Sequence, residues 1–245
     1  MMILGENKAK VASILKRDRI KNALLIRTIE TDSGCEVHMY HDSCAVYQSV
    51  TGYYLLSLTD RKCFLPLAEM LCHSLKILML NDISYIGEIE SEFPDAKRTE
   101  YIQYSIESEK YKRHGETEDI PVEITSIDKS WIDFILGLYK NPEFAYREYI
   151  ERCVDENPCF GAVYNGKRVG FVLVHMDGEI GPMVIANQFR GRGIGGALMR
   201  KITPIYSAQA SVGAGFVVPD NKISCKMLER AGFVKSPKNC CWIYL

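Results

Sequence analysis

Hydrophobic positions along the chain change their period repeatedly, and each change predicts an element. Residues 8–16 carry apolar side chains at helical spacing and read as an amphipathic helix. Short β-rich runs follow. Residues 24–29 and 36–40 read as strands on either side of the turn Asp32-Ser33-Gly34, and residues 52–58 as a third. A helix is expected over 65–73 around Pro66, a buried strand over 76–80, and a helix over 84–93 that starts at an Asp82 cap and stops at Pro94. Residues 99–106 alternate as a strand once more.

The stretch 107–119 (ESEKYKRHGETED) is almost wholly polar and reads as a linker. Beyond it the order of elements is clearer. A strand at 121–127 leads to a helix over 128–139 capped by Asp128, then to a helix over 142–155 with Pro142 at its start. Strands at 160–164 and 169–175 flank Asn165-Gly166, a strong hairpin signal, and the turn Met176-Asp177-Gly178 opens a third strand at 179–186. A glycine-rich turn then starts a helix over 194–206. A strand (210–218), a helix (224–231) and a last strand (241–245) complete the chain. No internal repeat is visible by eye.

Composition adds little beyond excluding extremes. The 245 residues are 47% hydrophobic and 25% charged, enough for one or two cores. A formal net charge of -1 gives no global field toward nucleic acid or an anionic membrane, and the basic residues are not interleaved with aromatics. Neither a cleavable leader nor an apolar run near the roughly 18 residues that span a bilayer is recognisable. Nine cysteines without dense spacing fit free thiols in a reducing compartment, so a cytoplasmic protein is expected.

The turn Gln188-Phe189-Arg190-Gly191-Arg192-Gly193-Ile194-Gly195-Gly196 carries the sharpest chemical signal. Glycine lets backbone N–H groups approach an anion, the following helix adds unpaired donors and its positive dipole end, and Arg190 and Arg192 bring charge. A pyrophosphate suits such a device. A P-loop would need Gly-Lys-Ser/Thr where Gly195-Gly196-Ala197 stands, and a dinucleotide fingerprint would need a βαβ unit where three antiparallel-looking strands precede the turn.

Arg-Gly-x-Gly-Ile-Gly, with Phe189 before it and Ala197-Leu198 after it, resembles the coenzyme A loop of the GNAT superfamily of N-acyltransferases. The element order from Ile120 to Leu245 and a second block, Asn221, Ser224, Glu229 and Gly232-Phe233, are similar to that family's as well. The resemblance implies acetyl-CoA or another acyl-CoA as co-substrate and no metal. It implies that backbone groups of Met183, Val184 and Ile185 bind the pantetheine arm, that amides of Arg190, Gly191, Arg192, Gly193, Ile194, Gly195 and Gly196 hold the pyrophosphate, and that Asn221 helps fix the coenzyme. Asn221 also reads as a helix cap after Pro219-Asp220, and the two roles can coexist.

Transfer to an amine needs a neutral nucleophile, a held oxyanion and a proton for the thiolate. Many family members use a tyrosine acid seven residues after the asparagine, where this chain has Leu228. Tyr206, Cys225 and Tyr244 are substitutes by residue type. A thiol of pKa about 8.5 can also leave without a dedicated acid. Glu179, after the turn Asp177-Gly178, is the expected base acting through water, and His175 is a second candidate against a structural role. Asp177-Gly178-Glu179-Ile180 resembles the corresponding strand of glycine N-acyltransferase-like members, whose base is a glutamate there.

Cys35, His38, His41 and Cys44 at three-residue intervals invite a zinc reading, but on a strand that step alternates faces, so buried cysteines and exposed histidines are expected. Tyr47, Tyr53 and Tyr54 read as strand packing against the alternative of an acceptor pocket. Trp131, Phe134, Ile135 and Leu138 form a core stripe, and by the resemblance residues 139–144 border the acceptor. The fold expected is α/β: a C-terminal GNAT fold with a mixed central sheet over residues 116–245, preceded by an α/β domain over residues 1–115 similar to a degenerate GNAT half. The expected function is acyl transfer, of acetyl first among acyl groups, to a primary amine on a small molecule or peptide. An acyl-CoA sensor without turnover is the alternative, and a monomer or homodimer is expected.

Overall fold

The computed structural model describes residues 4–111 and 121–245. Most of the expected linker, and with it the boundary at residue 115, lies outside the described residues. The first half contains α1 (Leu4–Leu15), α2 (Ala23–Thr31), β1 (Glu36–Tyr40), β2 (Ser43–Tyr47), β3 (Tyr54–Ser57), α3 (Phe64–Ala68), β4 (Ile77–Leu80), α4 (Ile86–Glu92) and β5 (Lys97–Glu107). The second contains β6 (Glu123–Ser126), α5 (Ile132–Leu138), α6 (Arg147–Glu156), β7 (Phe160–Tyr164), β8 (Lys167–Val174), β9 (Ile180–Ile185), α7 (Ile194–Ser207), β10 (Val212–Val217), α8 (Lys222–Arg230) and β11 (Val234–Tyr244). After β6 the second half repeats the element order of the first: two helices, three strands, helix, strand, helix, strand. Among the described residues no helix is long and apolar enough to cross a membrane.

The strands form two sheets. One is mixed and has the order β1-β2-β3-β4-β11-β5-β10, and the other runs β6-β7-β8-β9. The last strand of each half has therefore changed places. β11 pairs with β4 of the first half, β5 pairs with β10 of the second, and β5 and β11 pair with each other antiparallel at the centre. Ordering the backbone this way ties the two halves into one hydrogen-bonded layer.

The parallel junctions inside the two halves differ. In the first half β3 and β4 pair over three residues, Tyr54 with Leu78 through Leu56 with Leu80. At the equivalent place in the second half, β9 and β10 meet only at the isolated parallel bridge between Glu179 and Ala214. Beyond that bridge both are edge strands and the two sheets part.

Several expected elements are corrected. Residues 24–29 are the middle of helix α2, and Ala23 through Thr28 are all buried. Six consecutive buried residues mask the helical period over that stretch, so its run reads like a buried strand. β2 had no signal in the sequence because its hairpin turns through His41 at φ 53 with no glycine. Helix α6 begins at Arg147 and not at Pro142, because Asn141 caps a local turn by accepting from the Glu143 N–H and the chain is extended at Tyr146. β11 starts seven residues earlier than expected, its regular pairing interrupted by an irregularity between Lys235 and Asn239 around Pro237. The Asp82 and Asp128 caps and the Asn165-Gly166 hairpin are as expected.

Candidate active site

The turn at residues 176–179 and strand β9 position the chemistry. The Asp177 carboxylate accepts the Glu179 N–H at 2.9 Å, and the His175 N–H donates to the Glu179 carbonyl at 2.8 Å. This closes a tight turn that leaves Glu179 at the mouth of the gap between β9 and β10. There its Oε1 accepts the Phe216 N–H of β10 at 3.2 Å. The gap opens into a cavity of about 230 Å³ that Asp177, Glu179 and His175 help line.

Electrostatics inside this cavity are unusual for two carboxyls so close. Apart from their cavity-facing side, both are enclosed by protein. Burial first, and then the charge of Asp177, raise Glu179 well above the ordinary carboxylate range, and the Phe216 N–H only partly offsets them. Burial also raises Asp177, against the pull of its two local N–H groups and of Arg27. His175 is displaced the other way, since burial lowers it to about 4 and its imidazole is neutral near pH 7. Its Nδ1 lies 2.6 Å from the Tyr149 hydroxyl. A base held that low is weak, whereas a carboxyl raised above its ordinary range is a stronger base than usual.

Tyr206 braces the turn from behind. Its hydroxyl lies 2.7 Å from the Gly178 carbonyl and 2.8 Å from the Ala214 carbonyl, and accepts the Ala214 N–H at 2.9 Å. The Arg27 guanidinium stacks 4.1 Å over its ring and donates to Gln209 Oε1 at 2.7 Å. Tyr206 is thus fully engaged in holding β9 and β10 at their bridge. Cys225 is buried on α8 and is not among the residues lining the cavity. Tyr244 does line it, but its hydroxyl donates to Glu143 at 3.1 Å. Leu228 presents an apolar side chain to the same cavity.

The glycine-rich turn lies beside this cavity. Gly191 and Gly193 take left-handed φ angles of 74 and 76, which only glycine adopts freely. Gly193 caps α7 with no side chain on the first-turn N–H groups, leaving those of Ile194, Gly195 and Gly196 open. Arg190 Nε donates to the Ile185 carbonyl at 3.1 Å, tying the turn to the end of β9, and the Arg192 guanidinium lies 5.6 Å from the Phe189 ring centre. A Cβ on Gly195 would stand 3.1 Å from Met227 Sδ and 3.4 Å from Met183 Sδ, and both methionines line the cavity.

On β9 the alternation of the antiparallel ladder sorts the backbone. The Ala186 N–H donates to the Val169 carbonyl at 2.9 Å, so Val184, paired with Phe171, also faces β8. The N–H and carbonyl groups of Met183 and Ile185 point instead to the open edge, except for the Ile185 carbonyl that Arg190 occupies. Asn221 caps α8 by accepting the Ser224 N–H at 3.1 Å and does not line the cavity. A row of edge donors and an uncapped helix start fit a long coenzyme with an anionic end.

Other expected residues separate. Cys35 and Cys44 are buried, as expected, and the described residues that gather three potential metal ligands are Glu36, His38 and Cys72. His38 is mostly enclosed, with 13% of its side chain exposed, because its strand faces the segment carrying Cys72 and His73. Tyr54 is buried in strand packing as expected, whereas Tyr53 lines the cavity. Tyr139, Asn141 and Phe144 line it too. Sequence reasoning did not assign Asp177, Tyr101 or Trp242 to the site. Asp177 looked like turn chemistry alone, and the other two arrive on the exchanged strands β5 and β11.

With this geometry established, comparison gives the class. Residues 125–233, within the C-terminal half, match the acetyltransferase (GNAT) family model. GNAT proteins use acetyl-CoA as co-substrate. A Drosophila protein of known structure superposes at TM-score 0.74 over 97% of this chain and 96% of its own, with 11% identity. A GCN5-related N-acetyltransferase from Sphaerobacter thermophilus gives 0.54 over 96% and 92% at 12% identity. A GCN5-related N-acetyltransferase-like protein from Streptococcus suis gives 0.53 over 96% and 100% at 14% identity. At such identities the likeness is one of fold, and it covers both halves. No curated protein matches the chain in sequence.

Proposed function

We propose that the chain is an N-acyltransferase that moves an acyl group, acetyl first among them, from coenzyme A to a primary amine by direct attack, with Glu179 as base. The observation that carries this is Glu179 itself, a carboxyl raised well above its ordinary range at the point where β9 and β10 part. The open edge groups of Met183 and Ile185 support a pantetheine site, and the N–H groups of residues 190–196 support a pyrophosphate site. Asn221 serves as a cap and supports the coenzyme only by steadying α8.

The reaction balances without a separate acid. An entering ammonium gives one proton to Glu179, through water, and the neutral nitrogen attacks the thioester carbonyl. As the C–S bond breaks, the second proton leaves nitrogen and ends on the coenzyme sulfur, whose ordinary pKa of about 8.5 makes it a tolerable leaving group. Among the described residues the first half has no equivalent site: β3 and β4 are zipped together, and the turn before α3 carries Asp60, which caps the nearby Lys62 N–H. The repeated element order supports the division into residues 1–115 and 116–245, with the second holding the co-substrate.

Leu228 favours a second reading, an acyl-CoA sensor, because it replaces a polar group with an apolar one on the cavity wall. Free thiol released from acetyl-CoA across a broad panel of amines separates the two. Turnover that falls at least ~100-fold in Glu179→Gln at neutral pH, and recovers in part at high pH, is expected for the enzyme. Thermal stabilisation by acetyl-CoA with no thiol release from any amine would establish the sensor.

A further inference from the structure

Seven aromatic rings line the cavity: Tyr53, Tyr101, Tyr139, Phe144, Phe216, Trp242 and Tyr244. Four of them brace one another edge to face. Tyr53 and Trp242 stand 5.6 Å apart at 77°, and Phe216 and Trp242 6.1 Å apart at 86°. Tyr101 and Phe216 are 6.4 Å apart at 70°. Such mutual packing fixes the wall before any ligand arrives, so little is lost in ordering it on binding. At about 230 Å³ the cavity is smaller than the roughly 300–1,000 Å³ of drug-sized sites, which restricts the occupant to a small molecule.

The charge in the cavity has one sign. Asp177 and Glu179 are its carboxyls, and none of the described residues lining it is a lysine or an arginine. His175 adds no positive charge near pH 7. Arg27, whose charge acts on Asp177, sits behind the turn, stacked on Tyr206 and bonded to Gln209. The phenols feel the same field: burial, then Asp177, pushes Tyr53 up to about 12, and burial, then Glu179, does the same to Tyr101. At the rim Tyr244 donates to another carboxylate, Glu143.

We infer that the acceptor is a small amine with an aromatic or similarly broad apolar body and no carboxylate. This rests on the acyltransferase reading of the same cavity. An ammonium is drawn by the two carboxyls and by the ring faces. An amino acid would carry a carboxylate on the carbon next to its reacting nitrogen, against Glu179 and with no cation to pair it. Rejection of that charge by repulsion and lost solvation amounts to about 100-fold or more.

The test uses the full chain with phenethylamine, phenylalanine, phenylalanine amide and glycine. Acyl transfer is followed as thiol release from acetyl-CoA, and binding by calorimetry in the presence of coenzyme A. Phenethylamine and phenylalanine amide are expected within ~10-fold of each other in kcat/KM, with phenylalanine and glycine at least ~100-fold lower, and the same order in affinity. Phenylalanine or glycine equal to or above phenethylamine in either measurement would overturn the inference. If the calorimetric order holds with no thiol release, the substrate class stands and the acyltransferase reading fails. Thiol release confined to amino acids does the reverse, and if no amine binds or reacts, both fall.

Discussion

Glu179 Oε1 accepts the backbone N–H of Phe216 at 3.2 Å across the gap between the two sheets. This carboxyl is therefore hydrogen-bonded to the strand opposite its own, and its ionisation is linked to how the sheets part. One N–H does not outweigh burial beside Asp177, so the folded state holds the Glu179 proton more tightly than the unfolded chain does. The sign follows from linkage. Stability falls as pH rises from the ordinary carboxylate value through the raised folded one, and stays low above it.

Glu179→Gln removes that cost while keeping an oxygen for the Phe216 N–H. The variant is expected to match the parent in Tm at pH 4 and to exceed it by about 2–4 °C or more at pH 8, at ~1.4 kcal/mol for each unit of the shift. Calorimetric scans across pH check this. An equal or lower Tm at pH 8 would show that the carboxylate is compensated in the folded state.

Asp177 raises Glu179 by its charge and fixes the turn by its oxygen. Asp177→Asn separates these effects, since the amide oxygen can still accept the Glu179 N–H. The acidic limb of kcat/KM against pH is expected to move to lower pH in this variant, because the negative neighbour is gone. A His175 variant should leave that limb in place, since His175 is already neutral there. If His175→Gln shifts it and Asp177→Asn does not, the base has been misassigned.

The site was only partly legible in the sequence, for identifiable reasons. Residues 190–196 declare themselves because phosphate-binding geometry needs glycine at fixed positions, and Gly191 and Gly193 are left-handed. Glu179 was found through the turn before it. The aromatic wall was not, because Tyr101 and Trp242 come from β5 and β11, whose exchange depends on long-range pairing that no local pattern encodes. Helix α2 reads as a strand because its six consecutive buried residues, Ala23 to Thr28, mask the period by which helices are recognised.

Tyr206 is the clearest structural support of the site. Tyr206→Phe strips the hydroxyl from the buried Ala214 N–H and the Gly178 carbonyl, an expected cost of about 1–3 kcal/mol. The Glu179–Ala214 bridge should loosen with it, so kcat is expected to fall more than the affinity for acetyl-CoA. Equal losses in both, or none in stability, would argue against that positioning role.

Gly193→Ala tests the turn with the smallest change available. At φ 76 a methyl group costs about 1–2 kcal/mol of backbone strain, and relief of that strain moves the N–H groups that start α7. Coenzyme A affinity is expected to drop ~10-fold or more in calorimetry, and Gly193→Glu, which adds negative charge at the same point, should abolish it. Retained affinity in Gly193→Glu would remove the pyrophosphate from this turn.

The exchanged strands lead to a prediction that the family match over residues 125–233 does not suggest. A chain starting at Pro121 keeps every residue of that match but loses β5, which lies between β10 and β11, and β4 on the far side of β11. Both flanks of β11 and one flank of β10 would then present unpaired N–H and carbonyl groups, an invitation to edge-to-edge association. Tyr53 and Tyr101 would leave the cavity wall as well. The fragment is expected to aggregate, or to unfold without cooperativity, and size-exclusion chromatography with thermal scans will report which. The opposing outcome is equally concrete. If β11 swings over to pair with β10 directly, the fragment will be monomeric, melt cooperatively and bind coenzyme A, and the exchange would then be a choice between two pairings and not a requirement of the fold.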